Sequence, residues 1–196
     1  MGNIAVFGGT FNPIHSEHVK IIKYVSSLDF IDKILVMPTH IPPHKAAGNL
    51  ADDVDRLNMC KLAVGNIEKV VVSDLEIKRN DKSYSFYTFE TLKSQYINDE
   101  LFLVCGGDMA ITLDSWHRYD ELKKLCTFLV INRPGTDRKK LREYLENLVK
   151  NGAKVVTLDC DTDNVSSTNV RQSDNGLHLT EEVYNYIKEK GLYENV

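Results

Sequence analysis

Short, unbroken apolar runs rich in Val, Ile and Leu alternate along the chain with longer amphipathic stretches. The runs Asn3–Phe7, Lys33–Met37, Lys69–Val72, Leu101–Cys105, Thr127–Ile131 and Lys154–Leu158 have strand length. Continuous runs of this kind are expected of parallel strands covered on both faces. Between them, His15–Ser27, Asp53–Val64, Ser85–Tyr96, Arg138–Lys150 and Thr180–Lys190 carry the amphipathic pattern of helices. Strand–helix alternation predicts an α/β fold, a doubly wound parallel sheet with helices on both faces. A single domain over 1–196 is expected, with a small helical part at about 163–196.

Open sheets of this class bind ligands beyond the carboxyl ends of their strands, near the point where strand order reverses. The pattern therefore names the loops where chemistry belongs: Gly8–Ile14, Pro38–Asn49, Gly106–His117 and Asn132–Gly135. They contain His40, His44 and His117, the single tryptophan Trp116, and Arg133. Composition narrows the field. Hydrophobic residues make up 42% of the 196, enough for a packed core and against disorder. A net charge of −4 disfavours a general nucleic-acid binder, which needs excess cations against phosphate. Cys60, Cys105, Cys126 and Cys160 form no Cys-x-x-Cys pair and read as buried thiols of a reducing compartment. With no membrane-length apolar segment, a cytoplasmic protein away from membranes is expected.

The first loop is the most informative. A buried strand runs into Gly8-Gly9-Thr10-Phe11-Asn12-Pro13-Ile14-His15-Ser16-Glu17-His18. The glycines let a ligand approach the backbone, and the helix that follows offers N–H groups and a positive dipole end to an anion. His15 and His18, three apart, share one face of the first turn and make a donor pair for phosphate oxygens. No Cys, Asp or Glu at a recognised spacing completes a zinc site around them. The Walker pattern and Gly-x-Gly-x-x-Gly are both absent, which disfavours the common phosphate-loop and dinucleotide folds.

This stretch closely resembles the signature of the nucleotidyltransferase superfamily with the His-x-Gly-His motif, with Glu17 where that family usually has glycine. Residue 17 lies roughly 200° around a helix from His15, so its side chain is expected to face solvent and leave ATP affinity untouched. Five further stretches resemble the bacterial nicotinate-nucleotide adenylyltransferases in the same order: Pro38–Lys45, Ser83-Tyr84-Ser85, Gly106-Gly107-Asp108-Met109 with Leu113 and Trp116, Arg133-Pro134-Gly135, and Val165–Arg171. The resemblance covers nearly the whole chain and implies a Rossmann-like sheet. It also implies adenylyl transfer from ATP to nicotinate mononucleotide, giving nicotinate adenine dinucleotide and pyrophosphate. ATP would be held by Gly8, Gly9, Thr10, Phe11, His15, His18, Gly106, Asp108, Ser167, Thr168 and Arg171, with His15 and His18 catalytic. The acceptor would be held by His44, Lys45, Ser85, Trp116 and Arg133.

Each element also has a physical reading. Ser166-Ser167-Thr168 suits a helix N-cap, and Arg171 can grip phosphate with two donors. Ser85 at a helix start can hold the carboxylate that separates nicotinate from nicotinamide. Trp116, flanked by Ser115 and His117, offers a ring to stack on a pyridine. Mg²⁺ is expected on the ATP phosphates, without a metal site built from protein carboxylates. His117, Thr39 and Tyr87 depart from common family residues near the acceptor, and the tail after Arg171 is short. Transfer to nicotinamide mononucleotide or phosphopantetheine, cytidylyl transfer, a non-catalytic nucleotide sensor and a homo-oligomer all stay open.

Overall fold

A computed structural model describes residues 1–42, 50–79, 81–133, 135–163, 165–173 and 176–194. The apolar runs form β1 (Asn3–Gly9), β2 (Lys33–Pro38), β3 (Val70–Val72), β4 (Glu100–Gly106), β5 (Thr127–Asn132) and β6 (Lys154–Asp159). All pair in parallel, in the order β3-β2-β1-β4-β5-β6. The helices are α1 (Ser16–Ser26), α2 (Asp53–Val64), α3 (Leu75–Arg79), α4 (Ser85–Gln95), α5 (Gly107–Ala110), α6 (Tyr119–Leu125), α7 (Arg138–Lys150), α8 (Ser167–Arg171) and α9 (Glu181–Lys190), with a 3-10 turn at Leu113–Ser115.

Alternate residues of each inner strand enter opposite cores, which is why the runs are apolar without a break. Ile4 and Val6 of β1 join Phe86 and Phe89 of α4, Leu122 of α6 and Leu141 of α7. Ala5 and Phe7 join Val19 and Ile22 of α1, Met59 and Val64 of α2, and Val183 and Ile187 of α9. The C-terminal helix α9 therefore shares the core of α1 and α2. Burial on both faces fails at the sheet edge: Lys154, Thr157 and Asp159 of β6 are exposed, because no further strand or helix layer covers them fully.

Helix α1 starts at Ser16, with His15 as its N-cap, and α4 starts at Ser85, with Tyr84 as its N-cap. The short helices α3, α5 and α6 have no counterpart among the predicted elements, being too brief to show a helical period, whereas α8 starts where the Ser166 cap was read. Strand order reverses between β1 and β4, so the loops after these strands share one crevice. Among the described residues, no helix is long and apolar enough to cross a membrane.

Candidate active site

The loop after β1 is folded back on itself. Phe11 adopts a left-handed backbone (φ 46°) and its ring lies over Gly9, where a Cβ would stand 2.9 Å from Cζ. Glycine at position 9 is thus set by packing. Gly8 is exposed at the strand end, and a Cβ there would meet only Met37 O at 4.0 Å. Asn12 is 6% exposed and ties distant segments together. Its Oδ1 accepts from Ala51 N at 3.0 Å and Tyr193 Oη at 2.7 Å, and its carbonyl accepts from Arg171 Nη1 at 2.6 Å.

The two histidines meet as expected. Their rings stack with centroids 3.7 Å apart. His18 Nδ1 accepts from the His15 backbone N–H at 3.3 Å, which leaves the ring proton on Nε2 as a donor. Burial lowers the His15 pKa from 6.5 to about 4; Glu17 opposes this, while Arg133 and His178 add to it. His15 is therefore neutral at pH 7. Two charged rings at 3.7 Å would repel by about 4 kcal/mol at an effective dielectric of ~20, so the stack carries at most one proton. The helix N-terminus is less open than expected, since Ser16 N–H donates to His178 O at 2.7 Å.

Glu17 does not face solvent. It is 1% exposed, with Oε2 accepting from Asp163 N at 2.5 Å and Oε1 lying 3.0 Å from Lys20 Nζ. The helical angle does turn it away from His15, but the segment before α8 folds over that side of α1 and covers it.

The loop after β4 supplies the facing wall. Asp108 Oδ1 pairs with Arg133 Nη2 at 2.9 Å. A Cβ on Gly106 would overlap both groups, so this ion pair requires glycine there. Arg133, expected on the acceptor, also adds to the lowering of the His15 pKa, so its charge is felt at the β1 loop. The α8 arm reaches the same loop. Ser166 caps α8, its Oγ accepting from Asn169 N at 3.2 Å. Ser167 Oγ donates to Pro13 O at 3.0 Å, which commits that hydroxyl to anchoring. Arg171 commits Nη1 to Asn12 O, while Nη2 contacts Thr168 Oγ1 at 3.4 Å and buried Nε has no hydrogen-bond partner. The fork expected from the sequence is thus not open as a pair of donors: Nη1 is committed to Asn12 O and Nε is enclosed by protein.

A second group gathers at the start of α4. Half-buried Trp116 donates from Nε1 to Thr112 Oγ1 at 3.3 Å. His117 packs on Tyr84 with centroids 4.4 Å apart and lies 3.3 Å from Tyr87 Oη, so it sits at the start of α4, while Trp116 packs against the hydrophobic core. The loop after β2 joins them, His40 N donating to Ser83 Oγ at 2.9 Å. His44 and Lys45 lie outside the described residues. Arg56, absent from the sequence reading, is fully buried and spans both groups. It donates to Ala51 O at 3.0 Å, Thr10 O at 2.8 Å and His40 O at 3.4 Å, and pairs with Asp53. Its only signal in the sequence was a basic residue on an otherwise ordinary helix. Among the described residues, no group of three or more His, Cys, Asp or Glu side chains gathers to hold a metal.

Comparison with known proteins adds to this geometry. The cytidylyltransferase-like family model matches residues 6–173. A nicotinate-nucleotide adenylyltransferase of Bacillus subtilis is 34% identical over 200 residues, covering 100% of both chains. A solved Plasmodium falciparum nicotinic acid mononucleotide adenylyltransferase, complexed with NaAD, superposes with a TM-score of 0.81 at 21% identity, covering 98% of each chain. The same parasite protein complexed with APC gives a TM-score of 0.80. At that identity the structural likeness speaks for the fold, a Rossmann-like one.

Proposed function

The chain belongs to the cytidylyltransferase-like family and, within it, to the nicotinate-nucleotide adenylyltransferases, and from that premise we propose the reaction its site performs. A phosphate oxygen of nicotinate mononucleotide attacks the α-phosphorus of ATP in line. A new P–O bond forms, the bond from the α-phosphorus to the bridging oxygen breaks, and pyrophosphate leaves with that electron pair. The attacking phosphate has a second pKa near ~6 and is ionised at neutral pH, so no general base is required. Catalysis then rests on positioning and on meeting charge as it develops.

The observation that carries this reading is the stacked His15–His18 pair, with the His18 proton fixed on Nε2 at the mouth of β1. His18 would donate to the α-phosphate as neutral imidazole, beside His15. Gly8 leaves room for phosphate against the strand end, and Thr10, Phe11 and Gly106 shape the surrounding walls. Arg171, through Nη2, and the Thr168 hydroxyl would hold the leaving pyrophosphate, with Ser167 anchoring their arm. Arg133, paired with Asp108 near His15, would sit where the two substrates' phosphates meet. Magnesium, when bound, would neutralise phosphate charge; the donor set fits an ion carried by ATP, since Asp108 is already paired and no carboxylate cluster gathers among the described residues.

Ser85 at the first position of α4 supports recognition of the nicotinate carboxylate, and the Trp116 ring is proposed to stack on the pyridine. His44 and Lys45 are proposed to bind the acceptor. Four buried thiols, unpaired, support a reducing, cytoplasmic setting. The acceptor is tested by comparing kcat/KM for nicotinate and nicotinamide mononucleotides at saturating Mg-ATP. Nicotinate should be preferred by at least ~10-fold, the scale of one charge-assisted contact. Equal efficiency would reject the assignment.

A further inference from the structure

Glu17 takes no part in the reaction above, yet it is a buried carboxylate in the first turn of the helix that faces the phosphates. One of its partners lies far along the chain. Oε2 accepts from the backbone N–H of Asp163, 146 residues away, at 2.5 Å. Oε1 meets Ser16 Oγ at 3.1 Å and Lys20 Nζ at 3.0 Å, and Lys20 turns its other side to the Asp163 carboxylate at 2.9 Å. Asp163 stands three residues before Ser166, the N-cap of α8. The rest of the arm is held by Ser167 Oγ on Pro13 O and Arg171 Nη1 on Asn12 O.

We propose that Glu17 is a positioning residue for ATP: its carboxylate clamps the segment before α8 onto the first turn of α1. That clamp keeps Thr168 and Arg171 in reach of phosphates lying over His15 and His18. The inference rests on the functional reading above. A charge-assisted bond to a backbone N–H, closed off from water, is a stronger and more directional tie than a neutral one. It is also well matched to its task, because α8 is a single short turn with few contacts of its own to fix its place. Glycine at position 17, as in the resembling motif, would leave the Asp163 N–H and Lys20 without this partner. The same facts answer the charge objection. The carboxylate is engaged by Lys20 and by a backbone dipole, so its field at the phosphates is partly met at source.

The opposite account, in which Glu17 repels the triphosphate, predicts the opposite sign, and two variants separate them. Glu17→Gly removes the clamp, while Glu17→Gln keeps an acceptor for the Asp163 N–H but loses the charge. Clamping predicts that Glu17→Gly raises KM for ATP roughly tenfold, the scale of one lost charge-assisted bond, with kcat and acceptor KM within about threefold. Glu17→Gln, which keeps the acceptor for Asp163 N–H but not the charge facing Lys20, should recover part of that loss. Amide exchange of the unliganded protein, followed by mass spectrometry, should show faster exchange across residues 160–173 in the glycine variant. This arm needs no turnover, so it tests the clamp even if the proposed reaction is wrong. Should Glu17→Gly fail to fold, Asp163→Pro deletes the same N–H with Glu17 intact, and should give the same ATP-specific loss. Unchanged exchange with equal or tighter ATP binding overturns the proposal. Equal losses for ATP and acceptor overturn it as well, since they mark general destabilisation.

Discussion

His15 gives the sharpest test of the site's electrostatics. Its imidazole is buried, stacked on His18 and held at a pKa of about 4 in the folded protein, against 6.5 when free. Between these values the unfolded chain binds a proton that the folded chain refuses. Stability therefore is fully present above pH 6.5, falls as pH drops toward 4, and levels off below that. A gap of this size implies a loss of about 2 kcal/mol between pH 7 and pH 5 from this residue. His18 stacks on it, and the charges felt at its ring are Glu17 on the same helix, Arg133 after β5 and His178 from the C-terminal segment. Other groups titrate too, among them buried Glu76, so the test must be a difference. His15→Asn removes the titration while keeping a good N-cap residue. Urea unfolding of both proteins at pH 7, 6 and 5 should show the parent losing about 2 kcal/mol more than the variant. Parallel pH profiles in the two proteins would refute the buried, neutral His15.

His18→Ala should lower kcat by roughly 10²–10³, the scale of one lost preorganised donor, with little change in ATP binding; a variant that keeps most of its turnover removes His18 from the mechanism. Arg56→Leu should cost about 3 kcal/mol in urea unfolding, because it orphans the half-buried carbonyls of Ala51 and Thr10 together with its Asp53 partner. A loss under ~1 kcal/mol would show that these groups find other partners.

The sheet was legible because its inner strands are buried on both faces and so carry long apolar runs. The same rule misread β6, whose burial depends on what lies beyond the sheet edge and not on its own residues. The His15–His18 pair was legible from local spacing, as was the Ser166 cap. What the sequence hid was contact at long range. Asn12 meets Tyr193 across 181 positions, and Arg56 reaches Thr10 across 46. Glu17 shows the limit most plainly: helical geometry turned it correctly away from His15, but only the returning chain decides that this direction is interior. With its carboxylate engaged by Lys20 and Asp163, Glu17 no longer argues for a site that has lost catalysis.

The central claim is transfer of the α-phosphoryl end of ATP onto the phosphate of nicotinate mononucleotide. ATP labelled with ³²P at the α-position, incubated with Mg²⁺, the protein and nicotinate mononucleotide, tests it directly. The account predicts label in nicotinate adenine dinucleotide, while ATP labelled at the γ-position places its label in pyrophosphate. Failure of α-label to move to nicotinate mononucleotide, with transfer to phosphopantetheine or to no acceptor at all, would contradict it.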